Sequence, residues 1–237
     1  MLLFTRETCP PAAVPFLEDF AATAGRPDFP CMFAPKAFAD GELLFGHAEI
    51  TDGCLEPITA VMDAAACAIA RHQEQVVVVW VSGLAAESLA QEVVAAERIM
   101  EHLLAADRSG WPAAVPVDPR DPGWNFWYAG VDFFINFSTP HHLDRRSRNL
   151  GRCFTMVLQS QSSFDRFPRQ AKAMREKIRR RIGDYDALGP SPALGVHGEA
   201  PEIDQFFLGE TNTCPVRLLE PTTAGRRGTM EGSSSTR

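Results

Sequence analysis

A chain of 237 residues is within reach of one large domain or two small ones and can bury a substantial core. Hydrophobic residues make up 45% and charged residues 22%, an ordinary soluble globular balance, and no apolar run approaches the ~20 residues of a membrane span. The formal net charge of −7 argues against non-specific nucleic-acid binding by the molecule as a whole.

In chain order, MLLFTRETCPP lacks the basic and sustained apolar regions of a secretory signal, so the cytoplasm is the expected compartment. A short helix is expected from Phe16 to Ala24, opened by Pro15 and closed by Gly25-Arg26-Pro27. Phe29 to Phe38 reads as irregular and aromatic-rich, and Gly41 to Ile50 as a strand in which Phe45 and His47 share a face. Ile58, Val61, Met62, Ala65 and Ile69 carry helical spacing through Leu55 to His72. Gln75 to Ser82, with its VVVVWV run, reads as a central strand buried on both faces. Ser88 to Ala106 predicts a helix with Leu89, Val93, Ala96, Met100, Leu103 and Leu104 inside and Glu87, Glu92, Glu97 and Glu101 on its wet side.

A proline-rich linker, Asp107 to Gly123, leads to a hairpin expected around Ala129-Gly130, between Asn125–Tyr128 and Val131–Phe137. Cys153 to Gln159 predicts a further strand, and Phe164 to Ile182 a helix with Ser163 as its N-cap. Residues 222–237, rich in Gly, Ser, Thr and Arg, read as a disordered tail. Strands and helices therefore mix. The expectation is an α+β fold: a single domain over residues 1–221, with a mixed or mostly antiparallel sheet and packed helices. The six cysteines show no C-x-x-C pair and are expected as free thiols, several of them buried.

Chemistry concentrates where the strand FFINF ends. Ser138-Thr139-Pro140 stops it, and His141, His142, Arg145, Arg146 and Arg148 follow at once. Imidazoles bind metals or move protons, and guanidinium forks suit carboxylates and phosphates. Taken alone, the stretch reads as a polar loop with solvated arginines.

The run STP-x-H-x-x-RRSRNLG, however, resembles the signature of the YqcI/YcgG family. FPCMFAPKAF from Phe29, GELLF from Gly41, NFWYAGVDFF from Asn125, SSFD at Ser162–Asp165, the Leu194–Gly198 stretch and Cys214-Pro215 agree with it. The resemblance spans Phe29 to Pro215. It implies a haem-dependent N-hydroxylase of a guanidino amino acid, most readily L-arginine, in specialised-metabolite (antibiotic) biosynthesis. The implied cofactor is haem b, iron protoporphyrin IX. The implied partners are a guanidino substrate, dioxygen or peroxide and an electron donor, with no membrane or nucleic acid; a homodimer is compatible.

Within that reading His142 occupies the motif histidine and is the first choice as iron ligand, ahead of His141; His47 is the alternative. Cys31 could offer a thiolate, but an apolar setting with no basic residue before Lys36 favours a buried core cysteine. Arg145, Arg146 and Arg148 are candidates for clamping haem propionates or a substrate carboxylate. Trp124, Trp127, Phe133, Phe134 and Phe137 are candidate pocket walls; Glu210, Asp132 and Glu42 are weak candidates for a guanidinium partner. His72 and His102 read as surface histidines. Two other classes stay open: a haem-binding sensor or carrier without turnover, and a haem-free module whose basic segment Arg145–Arg181 recognises an anionic partner.

Overall fold

A computed structural model of the chain describes residues 2–165, 168–195, 198–213 and 216–219. Its elements run β1 (Leu3–Phe4), α1 (Val14–Ala22), α2 (Ala34–Ala39), β2 (Leu44–Glu49), α3 (Glu56–Arg71), β3 (Val77–Ser82), α4 (Leu89–Ala106), β4 (Phe126–Tyr128), β5 (Val131–Ser138), β6 (Phe154–Ser160), α5 (Ser162–Asp165) and α6 (Pro168–Tyr185). The strands form a six-stranded sheet in the order β1-β2-β3-β6-β5-β4. The β2–β3 pairing is parallel and the others are antiparallel, so the fold is α+β with a mixed sheet.

The apolar run at β3 places it in the middle, as its composition requires. Val77, Val79 and Val81 enter one core, shared with α3 and α4, while Val78 and Trp80 enter the other, shared with Phe4, Phe20, Phe29 and Phe45. Helix α3 carries six alanines, the best helix formers, between its β-branched residues, and Ile58, Val61, Met62, Ala65 and Ile69 are all buried. Burying one large aliphatic side chain stabilises by about 1.5–3 kcal/mol, whereas a poorer propensity costs at most about 0.7 kcal/mol per residue. At its β-branched positions packing outweighs propensity; elsewhere the two agree.

Between β4 and β5, Ala129 and Gly130 both adopt positive φ, 50° and 79°, the requirement of a type I′ hairpin turn. The linker braces it: Asp107 Oδ1 accepts from the Ala129 amide at 3.1 Å and Ser109 Oγ from the Gly130 amide at 3.2 Å.

Five expectations change. Pro35, in the first turn of α2, opens a helix inside the stretch read as irregular, where a missing N–H costs nothing. The cap of α5 is Asp132, whose Oδ2 accepts from the Ser162 amide at 2.9 Å; Ser163 lies inside the helix and donates to the Ser160 carbonyl. Glu92 is 2% exposed, not on a wet face, because it stands four residues before Ala96 and seven before Ile99 on the buried stripe. His102 is half-buried and bonded to Thr59 Oγ1 at 2.8 Å, while His72 is exposed at the end of α3. Five cysteines, Cys9, Cys31, Cys54, Cys67 and Cys153, are free thiols, but only Cys153 among them is buried, which pushes its thiol pKa up to about 12. Residues 222–237, Arg166, His197 and Cys214-Pro215 lie outside the described residues.

Candidate functional site

Strands β2, β3 and β5 run in the same direction, since β3 pairs parallel with β2 and both β3 and β5 pair antiparallel with β6. Their carboxyl ends, Glu49, Ser82 and Ser138, therefore gather at one edge of the sheet, where α/β-type sheets place ligand sites. Three loops meet there: residues 50–55, residues 83–88 leading into α4, and the Thr139–Gly151 loop after β5. Gly83 makes the turn out of β3: its φ is +77°, and a Cβ would lie 2.1 Å from the Ile50 carbonyl oxygen.

The Thr139–Gly151 loop is braced mostly by its own polar residues. The Thr139 amide donates to the Arg148 carbonyl at 2.8 Å. Asn149 Nδ2 donates to the carbonyls of Pro140 and His142, both at 3.1 Å, while its Oδ1 accepts from the Gly151 amide at 3.0 Å. Ser147 donates through its amide and hydroxyl to the two carboxylate oxygens of Asp186, at 2.7 and 2.6 Å. Gly151 has φ +122°, and a Cβ there would meet Asp19, whose carboxylate binds Arg152.

His142 is part of this bracing. It is fully buried beside Phe207; its Nε2–H donates to the Leu208 carbonyl at 2.6 Å, and its Nδ1 accepts from the Thr139 hydroxyl at 2.9 Å. Burial, reinforced by Arg148 and Arg145, pushes its pKa down to about 4, so the ring is neutral with both nitrogens engaged. An iron at His142 would have to break one of these bonds.

The arginines also bind the protein. Arg145 is fully buried and donates to the carbonyls of Gly209 and Gly189 and to Asn212 Oδ1, at 2.8, 3.2 and 2.8 Å. Arg148, 5% exposed, donates to the Gln205 and Phe206 carbonyls, and burial with the nearby Arg145 charge lowers its pKa to about 9. Arg146 is exposed, lies over the Tyr185 ring at 5.0 Å and donates to the Tyr185 carbonyl. Instead of converging on an open pocket, the three fasten the loop to residues 205–212 and to the end of α6.

The remaining candidates scatter. His47 shares a face with Phe45 and packs against Phe16, with Nε2 2.8 Å from Ser82 Oγ; burial lowers its pKa. But β2 and β5 are separated by β3 and β6, three strand spacings or roughly 14 Å, so His47 does not join the loop of His142. The candidate walls split too. Phe133, Phe137 and Trp124 are buried in the core under α3 and α4; half-buried Phe134 packs against that core edge-on to Phe206, and Trp127 is half-buried at the alternate position of β4. Both Asp132 oxygens accept from Ser160 or Ser162, and Glu210 accepts from the Asp144 and Arg145 amides. Glu42 gives its carbonyl to Gln75, and Cys31 is half-buried against the Phe29–Phe45 core.

The side chain of the motif that does reach across the edge is His141. Its Nδ1 donates at 2.8 Å to Oε1 of Glu92, in the first turn of α4. Glu92 is the residue the sequence pattern misplaced. A carboxylate in register with a core stripe was the available signal.

Such a mixed sheet, with a braced loop and a carboxylate–imidazole pair at its carboxyl edge, defines an α+β domain with one organised polar edge. The chain belongs to the YqcI/YcgG family, whose model matches residues 20–217. It is 31% identical over 208 residues, 82% of this chain and 78% of the relative, to a Streptomyces lavendulae protein named "Putative N(omega)-hydroxy-L-arginine synthase DcsA". It is also 31% identical to the uncharacterised YcgG and 26% identical to the uncharacterised YqcI of Bacillus subtilis strain 168, each over 52% of both chains. No solved structure matches it. Among the described residues no helix is long and apolar enough to cross a membrane.

Proposed function

We propose that this chain N-hydroxylates the guanidino group of an amino acid, L-arginine in the first instance, as a haem-dependent monooxygenase. The observation that carries the reading is the likeness to the Streptomyces protein named for N(omega)-hydroxy-L-arginine synthesis, which runs through most of both chains. In the overall reaction a guanidine N–H and dioxygen, with two electrons and two protons from a donor, become N–OH and water. Haem, when bound, supplies the iron at which dioxygen is activated.

A haem brings four nitrogens of its own and asks the protein for an axial donor. The protein's share is then to hold one imidazole, keep the edge dry and orient the substrate. His142 and Asn149 keep the loop rigid; Glu210 fixes its backbone at Asp144 and Arg145. The test is incubation of haem-reconstituted protein with L-arginine, a reductant and 18O-labelled dioxygen. A product heavier than arginine by one labelled oxygen, located on the guanidine by fragmentation, is expected. Haem-loaded protein that leaves arginine unchanged with both a reductant and peroxide would remove the assignment.

A further inference from the structure

We propose that the cleft between α4 and the loops after β2 and β3 binds a small organic carboxylate with an apolar body. The cleft lies at the carboxyl ends of the parallel pair β2–β3 and holds about 310 Å³, the lower end of the range for small-molecule sites. Its walls follow from the sequence. Gln91, Val94, Ala95 and Arg98 stand at i, i+3, i+4 and i+7, so a single stripe of α4 contributes all four. The two loops add the apolar side chains of Ile50, Leu55 and Leu84. Gly53, at φ +74°, has nothing within 4 Å of where a Cβ would lie, which keeps that side open. Val94 is 54% exposed, an apolar surface that an occupant would take out of water.

The polar groups on the lining select the charge. Gln91 Oε1 accepts from the Glu87 amide at 2.6 Å, which fixes the orientation of its side-chain amide and leaves the Nε2 hydrogens to donate. Arg98 makes no hydrogen bond or ion pair among the described residues. Both groups are therefore donors in search of acceptors, and no Asp or Glu lines the cleft. Glu92, next to Gln91 in sequence, belongs to the buried stripe instead. A carboxylate supplies the paired oxygens that a guanidinium fork takes, and apolar walls strengthen such a pair relative to open surface. The same walls ask for a hydrocarbon body behind the carboxylate. Without an acidic side chain, the cleft is a poor host for the guanidinium end of L-arginine. Nothing in this set of contacts depends on haem.

The experiment titrates phenylacetate, phenylethanol, phenylethylamine and L-arginine separately into the 15N-labelled full chain and follows the amide resonances by NMR. Phenylacetate should saturate at millimolar concentration or below, with shifts concentrated in residues 50–55, 83–88 and 91–98. Phenylethanol should bind roughly tenfold more weakly, phenylethylamine should not bind, and L-arginine should not displace phenylacetate. Arg98→Met keeps an apolar stem without the charge and, at an exposed position, should unfold like wild type. Its affinity for phenylacetate should fall roughly tenfold, with Arg98→Lys in between. Val94→Trp should fill the cleft and abolish the saturable shifts. No saturation by phenylacetate, shifts that map elsewhere, or an Arg98→Met protein that binds it as tightly as wild type overturns the proposal. So does equal binding of the amine, or displacement by L-arginine at equal concentration. Should either variant fail to fold, the wild-type ranking of acid, alcohol and amine decides.

Discussion

At the scale of single residues, His142 ties stability to pH. Its pKa is about 4 in the folded protein against about 6.5 for a free imidazole. The unfolded chain therefore takes up this proton first as the pH falls. The stability linked to the neutral ring is complete above pH 6.5 and is lost as the pH falls through the folded value, about 3 kcal/mol in all. Urea unfolding between pH 7.5 and 4 should show this slope, and His142→Gln should flatten it; an equally steep profile in the variant would assign the slope to other groups. Gly83 gives a second residue-scale prediction. Alanine there must accept φ +77° and a Cβ 2.1 Å from the Ile50 oxygen, so Gly83→Ala should cost about 1–3 kcal/mol or more in denaturant titration.

Elements follow a different logic, because the Thr139–Gly151 loop is held by arginines whose sequence reading suggested anion binding. Arg145→Met would leave the Gly189 and Gly209 carbonyls without that donor inside the protein, a loss of about 2–4 kcal/mol. Arg146→Ala removes an exposed contact with Tyr185 and should cost under about 1 kcal/mol. Chemical denaturation of the pair tests this, and the reverse order would restore Arg146 to a structural or binding role. Periodicity made β3, α3 and α4 legible, since each declares its buried positions in its own residues. The order of the strands is written in no single segment, so the separation of His47 from His142 could not be read. The placement of Glu92 could have been: the helical spacing of Ala96 and Ile99 includes it, but its charge argued for solvent. Asp132 as the cap of α5 was hidden by a separation of 30 residues between the partners.

For the whole molecule, the remaining question is whether the basic stretch from Arg145 to Arg181 gives it a nucleic-acid surface. The stretch holds twelve Lys and Arg against two acidic residues, within a chain of net charge −7. Many of those cations are spent internally. Arg152 pairs with Asp19, Arg179 donates to the Leu194 and Gly195 carbonyls, and Arg181 to those of Pro27 and Phe29. Together with Arg145, Arg146 and Arg148 they act as cross-ties from the second half of the chain to α1, to the Phe29 stretch and to residues 205–212. A guanidinium already donating to backbone carbonyls releases few counterions when a phosphate approaches, and the remaining acidic surface opposes the approach. Phosphate-neutralising proteins bind duplexes non-specifically at roughly 10⁻⁴ to 10⁻⁶ M at physiological salt. Titration of a fluorescent 20-base-pair duplex at about 150 mM salt should therefore give no saturation up to roughly 10⁻⁴ M. Micromolar binding that weakens steeply with added salt would show that these arginines leave their internal partners, and would favour the haem-free binding module over the enzyme.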